Sequence, residues 1–353
     1  IIGIAVYTAV LVILSALALA YIGKLLREYI PVCDTSAPEG SQGQFGLWET
    51  QTKTYLTTQA DDPFIPGVPQ KTVVLSEDAD WRDLGESATR GKTIDLNGHK
   101  LTVSYLAPPA SITDTSTGNP GELHLDLARG LTNRFVDIQG NLRLVKEGEG
   151  MLCLWRERQL FTGGLVIANG YARTGCEGSL VSIGTTNGVV RIASGATFDT
   201  YSHIDFDYTF ELDGGTLTNA ISPASAWGKH MISNVCVTAD SVYDIGDTYY
   251  GLISRGYAPS FIDLGGHTLA VRTTMAGNFY LANTTTTAGT IVQDGRLEFY
   301  HDPSDLRAST LEVNGFLRVN SNCANVLLGN VIVNTAEADT AAAVASYPNP
   351  LLV

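Results

Sequence analysis

Charge is missing from the first 22 residues of this chain, which read IIGIAVYTAVLVILSALALAYI. The segment has no polar stripe, which excludes a surface helix of a globular domain. A helix of this length rises about 1.5 Å per residue and spans roughly 33 Å, enough to cross the hydrocarbon core of a bilayer. Small residues, which let helix backbones approach closely, recur at Gly3, Ala5, Ala9, Ser15, Ala16 and Ala20. Residues 1–30 are therefore predicted to form one long hydrophobic α-helix, buried in a membrane or among other copies of itself.

Charge is also scarce along the chain as a whole. Charged side chains make up only 16% of the residues, and the net charge is −14, whereas typical soluble domains are about one quarter charged. No basic patch is visible, which argues against nucleic-acid binding. Thr, Ser, Asn and Gly supply the polar surface instead, a composition that favours an extracellular, cell-surface β protein.

The motifs of common catalytic and metal sites are missing as well. The chain has no Cys-x-x-Cys pair and no Cys/His spacing typical of zinc sites. It has no serine nucleophile elbow and no glycine-rich phosphate loop. We therefore predict a protein that is not an enzyme and that carries no cofactor.

The apolar segment is followed by a polar continuation and then by a region rich in helix breakers. Pro31 ends or kinks the helix, and residues 31–70 are predicted to be a linker or cap. Lys24 and Arg27 lie on the side of the remaining chain, and the positive-inside rule would keep that part in the cytoplasm. A basic leader before Ile1, removed later, would reverse this distribution of positive charge across the membrane and would place the remaining chain outside. A start at Ile1 without Met fits either such processing or a longer chain.

Over Ile1 to about Tyr29 the chain resembles mature type IV pilins and their archaeal relatives. The shared features are an apolar N-terminal helix, polar helical residues after it and a β-rich head. Bacterial pilins carry Glu at position 5, where this chain has Ala5, and archaeal-type pilins do not depend on that Glu. The resemblance implies a subunit that resides in the membrane first and then forms a homo-oligomer through this helix. A plain membrane anchor is the alternative.

Residues 71–335 contain short alternating strands, each broken by a glycine turn. The two most similar copies are IDLNGHKLTV at 94–103 and IDLGGHTLAV at 262–271. Looser copies lie at 136–144, 210–217, 291–299 and 311–319. Turn glycines fall near positions 98, 140, 170, 195, 215, 266, 295 and 315. If the longest gaps contain insertions, the spacing is roughly 20–30 residues, the period of a solenoid coil.

This spacing predicts a mostly β fold, a parallel β-solenoid (β-helix) head. Asn-Gly and Asp-Gly turns are also typical of hairpins, so a β-sandwich head is the alternative. His99 and His267 directly follow the turn glycine in the two best copies, and the recurrence predicts a structural role for them. Residues 336–353 are predicted to be a C-terminal cap or tail.

The two best copies resemble right-handed parallel β-helices of bacterial surface proteins. Such helices serve as lyases, hydrolases, adhesins and passive stalks, and those that degrade polysaccharides place carboxylates on a strand face as a calcium site or an acid/base pair. Period-2 alternation puts His203, Asp205 and Asp207 on one side of a strand. These three residues are weak catalytic candidates, and a calcium site is one possible use of them. The alternative is an ordinary polar strand face.

Five cysteines leave one unpaired. Cys153 and Cys176 are about one coil apart and are predicted to meet on adjacent coils, with Cys236 and Cys323 as a second disulfide. Cys33 would then form an intermolecular bond or remain a free thiol. Buried, unbridged cysteines are the alternative.

One position fits the pattern of a glycosylation site. Asn283 opens the motif Asn283-Thr284-Thr285, which matches an N-glycosylation acceptor.

Together these features predict a structural subunit of an extracellular pilus-like filament, with the helix in its core and the solenoid head on its surface. The alternative is a membrane-anchored surface β-helix that is either an adhesin binding glycans or a polysaccharide lyase or hydrolase.

Overall fold

The computed structural model describes residues 71–108, 110–133, 137–154, 159–174, 188–200, 205–218, 231–246, 259–273, 279–281, 283–299, 304–319 and 326–334. These residues all belong to one compact unit, Pro66–Val353. The predicted N-terminal helix, the linker and the C-terminal tail lie outside the described residues. Within the described ranges, none of the helical segments has the length and apolarity that a membrane span needs. The helical segments there are two 3-10 turns, Arg82–Leu84 and Glu86–Ala88.

The fold is a parallel β-solenoid, and each coil contributes strands to up to three faces. Face 1 contains two sheets that occupy the same place in the coil order. The first consists of β1 (Lys71–Val74), β3 (Lys92–Asp95), β5 (Ser111–Asp114), β8 (Asp137–Gly140) and β11 (Gln159–Phe161). The second consists of β22 (Phe279–Leu281), β25 (Arg296–Phe299) and β27 (Phe316–Val319).

Face 2 is a continuous ladder along the described length. Its strands are β2 (Ala79–Asp80), β4 (Lys100–Val103), β6 (Gly121–Asp126), β9 (Leu142–Glu147), β12 (Leu165–Ile167), β14 (Val189–Ala193), β16 (Asp205–Asp213), β18 (Met231–Ala239), β20 (Ser260–Asp263), β23 (Thr284–Thr286), β26 (Ser304–Val313) and β28 (Val326–Val333).

Face 3 is formed by the strands that follow face 2 in each coil. They are β7 (Thr132–Asn133), β10 (Met151–Leu154), β13 (Tyr171–Thr174), β15 (Thr197–Asp199), β17 (Thr216–Thr218), β19 (Ser241–Gly246), β21 (Thr268–Thr273) and β24 (Thr290–Asp294). The second halves of β26 and β28 complete it, because both strands turn the corner from face 2.

Strand register confirms the predicted coil length. Val190 pairs with Phe210 on the next coil, and Val235 pairs with Ile262. Both separations fall within the period of roughly 20–30 residues that is typical of solenoid coils. The strand ladders of the described residues are parallel, and the exception is an isolated antiparallel bridge between Ala193 and Gly214. The β-sandwich alternative is therefore wrong for this part of the chain, because sandwiches are built from antiparallel sheets.

The core is a set of apolar columns inside the coils. Alternation along each strand points every second side chain inward, and the parallel register then stacks equivalent side chains. The main column on face 2 is Leu101, Leu123, Leu144, Leu165, Val190, Phe210, Val235 and Ile262, each at most 1% exposed. Each coil therefore buries its apolar side chains by stacking on its neighbours.

The two best sequence repeats fold into the same turn at different corners. Asn97 and Gly98 have φ angles of 49° and 79°, and Gly265 and Gly266 have φ angles of 55° and 86°. Only glycine and a few polar residues adopt this left-handed conformation readily. The first turn joins face 1 to face 2, whereas the second joins face 2 to face 3. The repeated sequence thus encodes a corner and is not tied to one place in the coil.

Gln293 interrupts the apolar column Val271, Gln293, Val313 on the inner side of face 3. Its side chain is fully buried, and neither amide atom has a hydrogen-bond partner in the part of the chain that the structure describes. Burial of unpaired polar atoms is unfavourable.

Replacing Gln293 with Met, which has a similar volume, is therefore expected to raise the free energy of unfolding by about 1–2 kcal/mol. Chemical denaturation measures the change, and the exposed Gln139→Met is the control, expected to stay within about 0.5 kcal/mol. A loss of stability in Gln293→Met would show that the buried amide makes favourable contacts.

Candidate functional site

The predicted catalytic residues fall at the start of β16. Asp205 and Asp207 lie in this strand, and the structure gives their backbone positions only. The register with β18 shifts between Phe206 and Thr209, which interrupts strict alternation beside Asp207. His203 lies outside the described residues. The shared face of these three side chains, and any calcium site there, stays a prediction.

A cluster of charged side chains lies on the outer side of face 2. We call Glu122, His124, Arg143 and Glu147 the His124 cluster. In β6, Leu123 and Leu125 point inward, so Glu122 and His124 point outward. Register with β9 sets Arg143 beside Glu122. Glu147 lies at the end of the same strand, β9.

Both ring nitrogens of His124 face carboxylates in this cluster. The Nδ1 atom is 2.9 Å from Oε1 of Glu147 and the Nε2 atom is 3.1 Å from Oε2 of Glu122. Arg143 donates from Nη1 to Oε1 of Glu122 over 3.3 Å. Each charged group in the cluster thus has a partner of complementary character. Glu122 lies on one coil and Arg143 and Glu147 on the next, so these contacts join neighbouring coils.

A second group of charged side chains lies next to the His124 cluster, on the side of the first coils. Arg82 donates from Nη2 to Oδ2 of Asp80 over 2.6 Å and from Nη1 to Oδ2 of Asp126 over 3.2 Å. The hydrogen bonds from Arg82 hold the pKa of the exposed Asp80 carboxyl below its ordinary value. Exposed ion pairs of this kind add little stability individually.

A more buried polar group lies on the outer side of face 3. The Asp199 carboxylate is fully buried, Tyr171 donates its hydroxyl to Oδ2 over 2.5 Å, and Arg173 approaches the same oxygen at 3.6 Å. Burial first, and then the charge of Asp199, raises the pKa of Tyr171. Tyr171 therefore remains a donor that holds Asp199, and the three residues join two adjacent coils.

Lys146 lies inside the solenoid. Register stacks it between Leu125 and Ile167, and its side chain is fully buried. The ammonium donates to three backbone carbonyls, those of Glu147 at 2.7 Å, Gly148 at 2.9 Å and Asn169 at 3.0 Å. Asn169 belongs to the next coil, so Lys146 fastens two turns together. Burial lowers the pKa of Lys146 to about 8.

The repeated histidines occupy equivalent surroundings. Nδ1 of His99 lies 3.7 Å from Asp78 and Nδ1 of His267 lies 4.0 Å from Asp240. Each aspartate also accepts a backbone N–H of the residue after the histidine, Lys100 at 2.9 Å and Thr268 at 2.8 Å. These contacts agree with the structural role that the repeated sequence predicts.

The predicted disulfides are only partly within the described residues. Cys153 is buried in β10, and its register partner is Arg173, which lies shortly before Cys176 in the sequence. Cys176, Cys323 and Cys33 lie outside the described ranges. Both pairings and the role of Cys33 stay predictions.

Cys236, the described member of the second predicted pairing, lies in β18. Cys236 forms no disulfide with another described cysteine, and burial raises the pKa of its thiol.

The predicted glycosylation site directly precedes β23. Asn283 is partly buried and has a φ angle of 51°. Thr284 is fully buried, and its hydroxyl shares a hydrogen bond of 2.9 Å with Ser260. The hydroxyl residue of the motif, Thr285, is exposed. Glycosylation at Asn283 stays a prediction.

Sequence reasoning missed the His124 cluster, the Asp199 group and Lys146. The first had a visible signal, because Glu122, His124 and Asp126 occupy every second position of the sequence, as His203, Asp205 and Asp207 do. Within the described ranges, no three or more His, Cys, Asp or Glu side chains converge as metal ligands. The His124 cluster, the Asp199 group and Lys146 each join neighbouring coils.

Comparison with known proteins adds no family. No protein family, no curated protein and no solved structure matches this chain. The class that the fold defines is a parallel β-solenoid.

Proposed function

We propose that this chain is a structural subunit of an extracellular pilus-like filament. Residues 1–30 form the core of the assembly as a helix, and the solenoid is the head on its surface. The observation that carries the proposal is the uncharged apolar segment of 22 residues joined to a solenoid. The outer polar groups support it, because His124, Asp199 and their partners hold one coil to the next.

Assembly is the mechanism in this proposal. The helix resides in the membrane first and then bundles with other copies through its small residues, Gly3, Ala5, Ala9, Ser15, Ala16 and Ala20. Close backbone approach through such residues gives van der Waals contact where burial from water supplies no driving force. Cys33, just after the helix, adds an intermolecular bond, and the head faces the outside of the cell, where glycans are available partners.

Deleting residues 1–30 is expected to abolish filaments and to leave a soluble, β-rich head. The full chain and the truncated chain are compared by electron microscopy and by circular dichroism. Two further variants keep the helix and change one side chain each, the first as a second test and the second as its control. Ala9→Leu, which widens a small-residue position, is expected to weaken assembly, whereas Leu14→Met is expected to retain it. Filaments formed by the truncated head would contradict the proposal.

A further inference from the structure

β28 is the last strand of the solenoid that the structure describes. β28 pairs with β26 on one side, and no strand of the described residues pairs with its other side. The strand reads VLLGNVIV and contains no charge and no proline. A strand edge of this kind presents unpaired N–H and C=O groups and is a template for another strand.

The outer side of β28 is apolar where the preceding coil is charged. By register, Leu327 follows Asp305 and Ile332 follows Glu312. Ile332, on this outer side, is 42% exposed and belongs to the small set of large apolar side chains that the described surface exposes. The change from carboxylates to aliphatic side chains occurs at the coil where the described stack stops.

The sequence of β28 is nearly symmetric about its centre. Read from both ends, Val326 matches Val333, Leu327 matches Ile332, Leu328 matches Val331 and Gly329 matches Asn330. Antiparallel pairing of two such strands about a twofold axis through the centre sets each of these residues opposite its match. Aliphatic side chains then face aliphatic side chains in three of the four matched pairs, and Gly329 faces Asn330 at the centre.

The direction of the side chains obeys the same symmetry. Leu328 stacks on the buried Leu306 on face 2, and Val333 stacks on the buried Val313 on face 3, so both ends of β28 point residues inward. The corner between the faces lies at the centre of the strand. A twofold axis through that corner exchanges faces 2 and 3 and keeps inward residues opposite inward residues. An isologous contact needs this self-complementarity.

We propose that β28 binds β28 of a second copy of this chain, antiparallel and edge to edge, so that two solenoids join end to end. Backbone hydrogen bonds between the two strands supply affinity, as in other cases of strand addition. The pairs Leu327–Ile332 and Val326–Val333 across the axis supply specificity. This contact is independent of the N-terminal helix, so it holds whether or not the helix builds a filament.

The test uses the full chain in detergent micelles, as a mixture of copies with normal and heavy nitrogen isotopes. A photo-crosslinking amino acid placed at position 332 is expected to join different copies, and the attachment is expected near Leu327. Isotope labels separate links between copies from links within one chain. Links from position 332 to residues 335–353 of the same chain, or no links, would overturn the proposal.

Substitutions provide the second arm of the test. Ile332→Lys is expected to reduce the yield of links from a crosslinker at position 327 at least about tenfold, since a loss of 1.4 kcal/mol in binding produces that ratio. Val189→Lys is the matched control, because Val189 is 44% exposed on face 2, and it is expected to leave the yield unchanged. Asn330→Asp, which brings like charges together at the axis, repeats the test at a second exposed position. Unchanged yields in both Ile332→Lys and Asn330→Asp would overturn the proposal.

Discussion

Replacing Phe210 with Ala is expected to lower the free energy of unfolding by about 4 kcal/mol. Phe210 is fully buried in the face 2 column, between Val190 and Val235. Its ring centroid lies 6.0 Å from that of Phe198 on face 3, so the ring fills the space between two faces. Truncation removes this contact and leaves a cavity that the stacked backbone cannot close.

The position of Phe210 in the stack adds a second effect. Coils of a solenoid contact only their neighbours, so its stability depends on the interfaces between successive coils. A weak interface in the middle is expected to separate the unfolding of the two ends, and a single denaturation transition becomes broader or splits. Circular dichroism during denaturation measures both the loss of stability and the shape of the transition.

Thr209→Ala is the control for this substitution. Thr209 directly precedes Phe210 in β16 and points outward, so its replacement is expected to change stability by no more than about 0.5 kcal/mol. A loss below about 1 kcal/mol in Phe210→Ala would contradict the stacked column, because truncating a buried Phe side chain ordinarily costs several times as much. Equal losses in the two variants would show that the strand itself, and not the inward side chain, is what the substitution disturbs.

The solenoid could be predicted because its two causes are local. Alternating apolar residues and left-handed turn glycines are both visible in IDLNGHKLTV and IDLGGHTLAV. The corner that each repeat forms was not visible, because Asn97-Gly98 and Gly265-Gly266 adopt the same turn between different faces. Which face a strand joins depends on the lengths of the preceding loops, which the repeat does not contain.

The coil-joining side chains were harder to predict for a related reason. Arg173 and Asp199 are register partners, and so are Val190 and Phe210, yet the first pair is clearly further apart in the sequence than the second. With a coil length that varies this much, sequence spacing does not identify which residues stack. Lys146 was missed because alternation predicts only that the side chain at position 146 points inward. A lysine at an inward position contradicts the apolar pattern, and only the structure shows the three carbonyls that accept its hydrogen bonds.

The stability of the protein is expected to depend on pH through Lys146. Burial lowers the pKa of Lys146 to about 8 in the folded protein, whereas a lysine in the unfolded chain has a pKa near 10.4. Between these values the unfolded chain binds more protons than the folded one, so the free energy of unfolding contributed by Lys146 rises with pH. Below about pH 8 both states are charged, and the contribution no longer changes.

The expected rise is about 3 kcal/mol at most, because each unit of difference in pKa corresponds to about 1.36 kcal/mol. Hydrogen bonds to the carbonyls of Glu147, Gly148 and Asn169 favour the charged ammonium, which makes this figure an upper value. Lys146→Met keeps the length of the side chain in the column and removes the titrating group. Denaturation of both proteins from about pH 7 to about pH 10.5 is expected to show wild type gaining stability relative to Lys146→Met as the pH rises. Parallel curves would mean that the carbonyls offset the whole cost of burying the charge, and that Lys146 is as easily protonated inside the solenoid as in water.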